Sequence, residues 1–193
     1  MIPVFDGHND LLLRLHNAPE KRAEIWLTGE GKGHLDLPRM RQGGFAGGFF
    51  AIYIPSPHKD DGTDYQAAME SPPFHLPLPD LIGHQAAQAT ALSMAGHLRW
   101  MERASDGAFK VCTTVAELRD CLAKGVISGI MHMEGAEAID PGLDALYLYH
   151  DMGLRSLGPA RVAPHGFRPG RPLPLPRLAR HRRRADRRRP RAG

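Results

Sequence analysis

Five short apolar runs, separated by stretches with helical spacing, constrain the fold of this 193-residue chain more than any other feature. Residues 2–6 read as a short buried strand, followed over 9–16 by a loop and a helical turn. Residues 46–54 read as a second strand, because Phe49, Phe50, Ile52, Tyr53 and Ile54 suit a pleated, buried environment. Residues 109–113, 126–133 and 154–157 repeat that character. Between them, 35–42, 81–104, 115–124 and 143–152 carry helical patterns, and Thr114 with Glu117 has capping-box spacing. Strands alternating with helices predict βαβ units and a parallel sheet whose strands all end along one edge.

The alternation stops near residue 160. From 161 to 193 the chain holds 12 arginines and one acid, Asp186, which leaves 13 basic and 20 acidic residues before it. The overall net charge of +4 therefore averages an acidic body and a basic tail. An Arg- and Pro-rich stretch with almost no apolar periodicity cannot bury a core, so 1–160 is expected to fold and 161–193 to be disordered. Residues 55–79, rich in proline, read as a long loop of the functional or disordered kind. Cys112 and Cys121 lack paired spacing, which indicates neither a disulfide framework nor a thiolate zinc site and fits a reducing compartment. No charged leader with an apolar core precedes residue 2, and no apolar run reaches the roughly 20 residues that span a bilayer. A soluble, cytoplasmic protein is expected.

His8 and Asp10 fall just past the first strand, and Glu134 just past the strand 126–133. In a parallel fold these positions share an edge, so three side chains distant in sequence can converge. Imidazole and carboxylates suit zinc, and other divalent ions as well. Each residue also has a structural reading: Asp10 as a helix cap, His8 as a loop histidine, Glu134 as a solvated strand-end charge. Alternation puts His132 on the face opposite Met131 and Met133, where a structural role is expected. His34, His58, His75, His84 and His97 show no ligand spacing and stay unassigned.

The run Phe5-Asp6-Gly7-His8-Asn9-Asp10-Leu11, then Leu35-Asp36-Leu37-Pro38-Arg39-Met40, Gly43-Gly44, Gly47-Gly48-Phe49-Phe50 and Glu134-Gly135-Ala136, resembles the renal (membrane) dipeptidase family in the same order. The resemblance covers about the first 160 residues. It implies a (β/α)8 barrel with two zinc ions that hydrolyses dipeptides, by attack of a hydroxide held between the metals on a carbonyl that they polarise. Matched by motif, His8 and Asp10 would bind the first zinc and Glu134 would bridge both. Two further histidines that bind the second zinc in the family have no match here. A dipeptide substrate is implied, with a homodimer as one state of the intact enzyme.

A full barrel takes about 250 residues and eight strands, and this chain offers five strands before residue 158. The basic tail has a rival reading as a nucleic-acid arm. An out-of-frame origin explains it better: synonymous codons for 162–193, slipped by one base, can encode a string that resembles family sequence. The expected product is an N-terminal fragment with one metal half-site and little activity. A different metal-dependent amidohydrolase is the alternative within the same fold.

Overall fold

Residues 2–57, 67, 70 and 80–159 are described by a computed structural model of the chain. The readings of most of 55–79 and of the tail fall outside those residues. Strand β1, Val4–Asn9, leads into helix α1, Leu11–Asn17, and α2, Leu37–Gln42, into strand β2, Phe45–Tyr53. The long helix α3, His84–Ala104, precedes β3, Phe109–Val111, and α4, Val115–Lys124, precedes β4, Ile127–Glu134. Helix α5, Asp144–Asp151, and strand β5, Leu154–Gly158, follow.

Local chemistry sets the helix ends. Asp36 caps α2 by accepting the Arg39 amide at 2.8 Å. Thr114 accepts the Glu117 amide and the Glu117 carboxylate reaches back to the Thr114 amide, the capping box expected from their spacing. Gly125 ends α4 in the left-handed region at φ 68°, where its amide bonds back to Cys121 and Leu122 carbonyls.

All strand pairs are parallel. β2 lies between β1 and β4. β3 pairs with the first part of β4, Ile127 to Gly129, and β5 with the last part, Met131 to Glu134. Because β2 runs along nearly the whole of β4 on one side, β3 and β5 must share the other. The sheet therefore has four strand positions, half those of a (β/α)8 barrel, and the fold is a partial barrel.

Alternation along the strands separates two faces. Phe50, Ile52, Met131 and Met133 turn toward the helices and are fully buried. There Phe109 stands between Trp26 and Phe50 with edge-to-face ring contacts at 5.3 and 5.2 Å. A side chain at Gly129 would meet the Phe109 ring at 2.5 Å, so this approach of strand and ring requires glycine. Helix α3 turns Ala87, Ala91, Met94, Leu98 and Met101 onto the sheet at helical spacing. Trp26 belongs to a single π-helical turn, Glu24–Thr28, which no pattern in the sequence announced. Its indole donates to Ser105 Oγ at 2.9 Å.

The boundaries moved most at β1. The strand expected over 2–6 instead runs through Gly7 to Asn9, with two register irregularities against β2. His8 is thus inside the strand rather than beyond it, Asp10 is the residue after it, and Glu134 is the last residue of β4.

Candidate metal centre

The three side chains singled out from the sequence meet at the carboxyl edge of the sheet. His8 Nε2 is 3.5 Å from Asp10 Oδ1 and 3.3 Å from Glu134 Oε2. One donor atom from each lies within 4.8 Å of the others. β1 and β4 are separated by β2, a backbone gap of roughly 10 Å at the usual strand spacing. Only long side chains bridge it: the imidazole of His8 reaches from one side and the carboxylate of Glu134 from the other. Asp10 sits at the cap position of α1 but makes no side-chain capping bond, so its carboxylate is engaged with His8 rather than with the helix.

The spacing suits a cation. Two ligands each about 2.1 Å from a tetrahedral zinc stand about 3.4 Å apart, a value that falls between the two separations seen here. The donor set, one imidazole and two carboxylates, is also one that zinc accepts. Among the described residues no other group of three such side chains converges.

Neighbouring groups hold this arrangement. The amide of Asn9, buried between the two β1-side donors, donates to Asp6 Oδ2 at 3.0 Å and to the Phe49 carbonyl at 3.1 Å. Its oxygen accepts the Leu11 amide at 3.4 Å, tying the strand end to the start of α1. Asp6 also accepts the His8 amide, at 3.3 Å. Asn9 carried no sequence signal beyond its place between His8 and Asp10. His132 lies on the same face as Glu134, opposite Met131 and Met133 as alternation required. Its ring meets that of His8 edge to face at 5.7 Å, and its Nδ1 is 2.8 Å from Ser156 Oγ. Burial, and then the nearby His8, push its pKa below the usual histidine range, so at neutral pH it is a neutral, hydrogen-bonded prop for the His8 ring.

An open cavity of about 980 Å³ runs from His8 and Asp10 along β1, past Phe5, Leu13 and Leu35. Arg14 lines it in an ion pair with Glu30, whose carboxyl that partner holds below its ordinary range. Of the histidines left unassigned, His84 Nδ1 lies 3.1 Å from the Glu137 carbonyl, and His97 is buried in α3, its pKa lowered by desolvation. Neither belongs to the group of three donors. His58 and His75 lie outside the described residues.

Fold and site define the class first: a partial parallel α/β barrel with a candidate metal-binding group on the carboxyl edge of its strands, the face on which barrel enzymes carry their chemistry. The particular family follows from comparison. The chain belongs to the membrane dipeptidase family, peptidase family M19, whose model matches residues 1–162. A metallopeptidase from Rhodobacter sphaeroides, solved with a phosphinate mimic of the dipeptide L-Ala-D-Ala, is 64% identical, with a TM-score of 0.80 over 85% of this chain and 47% of its own. A dipeptidase of family M19 is 63% identical, with a TM-score of 0.79 over 85% and 46% of the two chains. An uncharacterised protein of Acinetobacter calcoaceticus is 36% identical over 86% of this chain and 51% of its own length. The probable dipeptidase PvdM of Pseudomonas aeruginosa, 19% identical with a TM-score of 0.61 over 83% of this chain and 35% of its own, shares the fold. The chain thus spans from about a third to about half of the length of these relatives. No helix among the described residues is long and apolar enough to cross a membrane.

Proposed function

We propose that this chain is the N-terminal part of a zinc-dependent dipeptidase, in which His8 and Asp10 hold the first ion and Glu134 bridges to a second. The separations of 3.3 and 3.5 Å from His8 Nε2 to the two carboxylates carry this reading, because they are the ligand spacing of a small tetrahedral cation. A zinc ion bound there would supply Lewis-acid polarisation of a carbonyl and activation of water as a nucleophile. The chain's own residues would do the positioning. Asn9 locks the backbone between two ligands, and His132, held by Ser156, limits rotation of the His8 ring. A dipeptide is the substrate class, supported by the dipeptide mimic bound to the Rhodobacter relative.

This chain matches neither histidine expected for the second ion, so dipeptide hydrolysis by the 193-residue product is expected to be poor. We read 161–193 as out of frame, which fits a family match that ends at residue 162, where the composition changes. Reading the coding DNA one base over should give a long continuation with two further histidines; an immediate stop there would refute this. We place the protein in the cytoplasm, tested by fractionation, and the intact enzyme as a homodimer.

The direct experiment is metal titration of the purified chain by calorimetry, with bound zinc counted by elemental analysis. One ion per chain, lost in His8→Ala and Glu134→Gln, is expected. Equal binding by the wild type and both variants would remove the basis for the assignment.

A further inference from the structure

Cys112 and Cys121 are the only cysteines in the chain, and the fold brings them into contact. Cys112 follows β3 and is fixed to β4, its amide donating to the Gly129 carbonyl at 2.8 Å. Cys121 is the one buried side chain of α4. The two sulfurs stand 3.6 Å apart, and each residue is only 2% exposed. Apart from that contact, Cys112 Sγ has only the Lys110 carbonyl, at 3.8 Å, and a thiol is a weak donor.

At 3.6 Å two sulfurs touch without bonding, whereas a disulfide needs about 2.05 Å. Shared between them, the difference asks each sulfur to move by about 0.8 Å. A modest rotation about each Cα–Cβ bond covers that distance at small cost.

We infer that Cys112 and Cys121 form a reversible internal disulfide that staples α4 to the end of β3, with a small disulfide of the glutathione class as oxidant. In a reducing compartment the dithiol is the resting form. One protein thiolate attacks a sulfur of oxidised glutathione, the S–S bond of the tripeptide breaks, and one reduced glutathione leaves. The second protein thiolate then attacks the protein sulfur of the mixed disulfide, the Cys112–Cys121 bond forms, and a second reduced glutathione leaves. The two protons of the protein thiols end on the two released thiols. The protein loses two electrons and the tripeptide disulfide gains them.

The surroundings favour this bond over a bond to another chain. The cysteines are nine positions apart, and the segment between them is held in one conformation by the capping box of Thr114 and Glu117 and by the ion pair of Glu117 with Lys110 at 3.2 Å. The second thiol is therefore always beside the first, while burial keeps other chains away. Burial also sets the pace. It pushes the Cys112 thiol, together with the adjacent thiol of Cys121, up to about 12, so exchange waits for α4 to open locally. Because the fold holds the sulfurs together, the folded chain favours the bond, and by linkage the bond favours the fold.

The test equilibrates the full 193-residue chain with mixtures of reduced and oxidised glutathione, quenches with acid and counts free thiols by maleimide labelling. The expected product is a single chain lighter by two hydrogens, with one peptide pair joining Cys112 to Cys121. The equilibrium constant for the bond should be greater in buffer than in denaturing urea by roughly 30-fold or more, and oxidation should raise the urea midpoint. Equal constants in the two solvents would reduce the pair to ordinary core packing and overturn the inference. Glutathione adducts on both sulfurs, or bridges between chains, would overturn it as well. Cys121→Ser should have a urea midpoint that the oxidant does not move, and a rise as large as that of the wild type also overturns the inference. The readout is the thiols alone, so failure here and failure of the zinc reading are distinguishable.

Discussion

The two faces of β4 are one residue apart and carry different tasks. Met131 and Met133 are 0% and 1% exposed and lie under the helices. His132 and Glu134 turn the other way, into the open interior, where Glu134 meets His8 and His132 props its ring. The strand period of two puts packing on one side and polar chemistry on the other without any change of backbone. Stability and metal binding should therefore be separable by mutation along a single strand.

The strongest way to break that separation is to damage the packed face. Met131→Ala removes a fully buried side chain and should cost about 2–5 kcal/mol, read as a lower urea midpoint with an unchanged slope. Zinc affinity measured without denaturant should stay within about twofold, because Met131 faces away from the ligands. A large loss of affinity in a folded Met131→Ala chain would show that the faces are coupled.

The mirror experiment is Glu134→Gln. It removes a ligand charge but keeps the shape, so zinc affinity should fall by at least the roughly 10- to 100-fold that even a supporting residue commands. Apo stability should move by no more than about 0.5 kcal/mol, the usual range for a partly exposed site. An unfolding midpoint that drops as far as in Met131→Ala would contradict the comparison from the other side.

Asn9→Ala tests the boundary between the two. Asn9 is buried yet touches no proposed ion, holding Asp6, the Phe49 carbonyl and the Leu11 amide instead. Losing these bonds should cost both properties: about 1–3 kcal/mol of stability and roughly tenfold in zinc affinity. A change in one with none in the other would assign Asn9 wholly to that face.

What was legible in the sequence follows the same division. Residues 115–124 formed the helix their pattern predicted, because Thr114, Glu117 and Gly125 set its ends through bonds a few residues long. His8, Asp10 and Glu134 were legible as candidates because parallel strands end on one edge. The order of the strands was not: nothing local in 109–111 or 154–158 says that they share one side of β4. Nor could local signals show that Cys112 and Cys121, unpaired in spacing, lie with their sulfurs 3.6 Å apart. Burial, and then the neighbouring thiol, push the Cys112 pKa up to about 12. The Glu24–Thr28 turn was missed for a related reason. Its closing bond, from the Gly29 amide to the Glu24 carbonyl at 2.8 Å, has no sequence signature, and its Trp26 is fixed by contacts with Phe109 and Ser105 far along the chain.

The smallest effect expected is at Glu117, in the first turn of α4. Its carboxylate accepts the Thr113 amide at 2.8 Å and the Thr114 amide at 3.1 Å, and it pairs with Lys110 at 3.2 Å. The Thr113 amide first, and then Lys110, lower its pKa to about 2, against about 4.3 for an unperturbed glutamate. The folded form therefore binds this proton less readily than the unfolded form. Its stabilisation is fully present above about pH 4.3 and is lost as pH falls through about 2. Glu117→Gln should lower stability at neutral pH by on the order of 1 kcal/mol, the usual cost of a damaged helix cap. It should also flatten the fall in urea midpoint between pH 4.3 and 2. Zinc affinity at neutral pH should not change, because the capping box shares no partner with His8, Asp10 or Glu134. A Glu117→Gln chain that keeps the wild-type acid slope would mean that other carboxylates carry the acid sensitivity of this part of the fold.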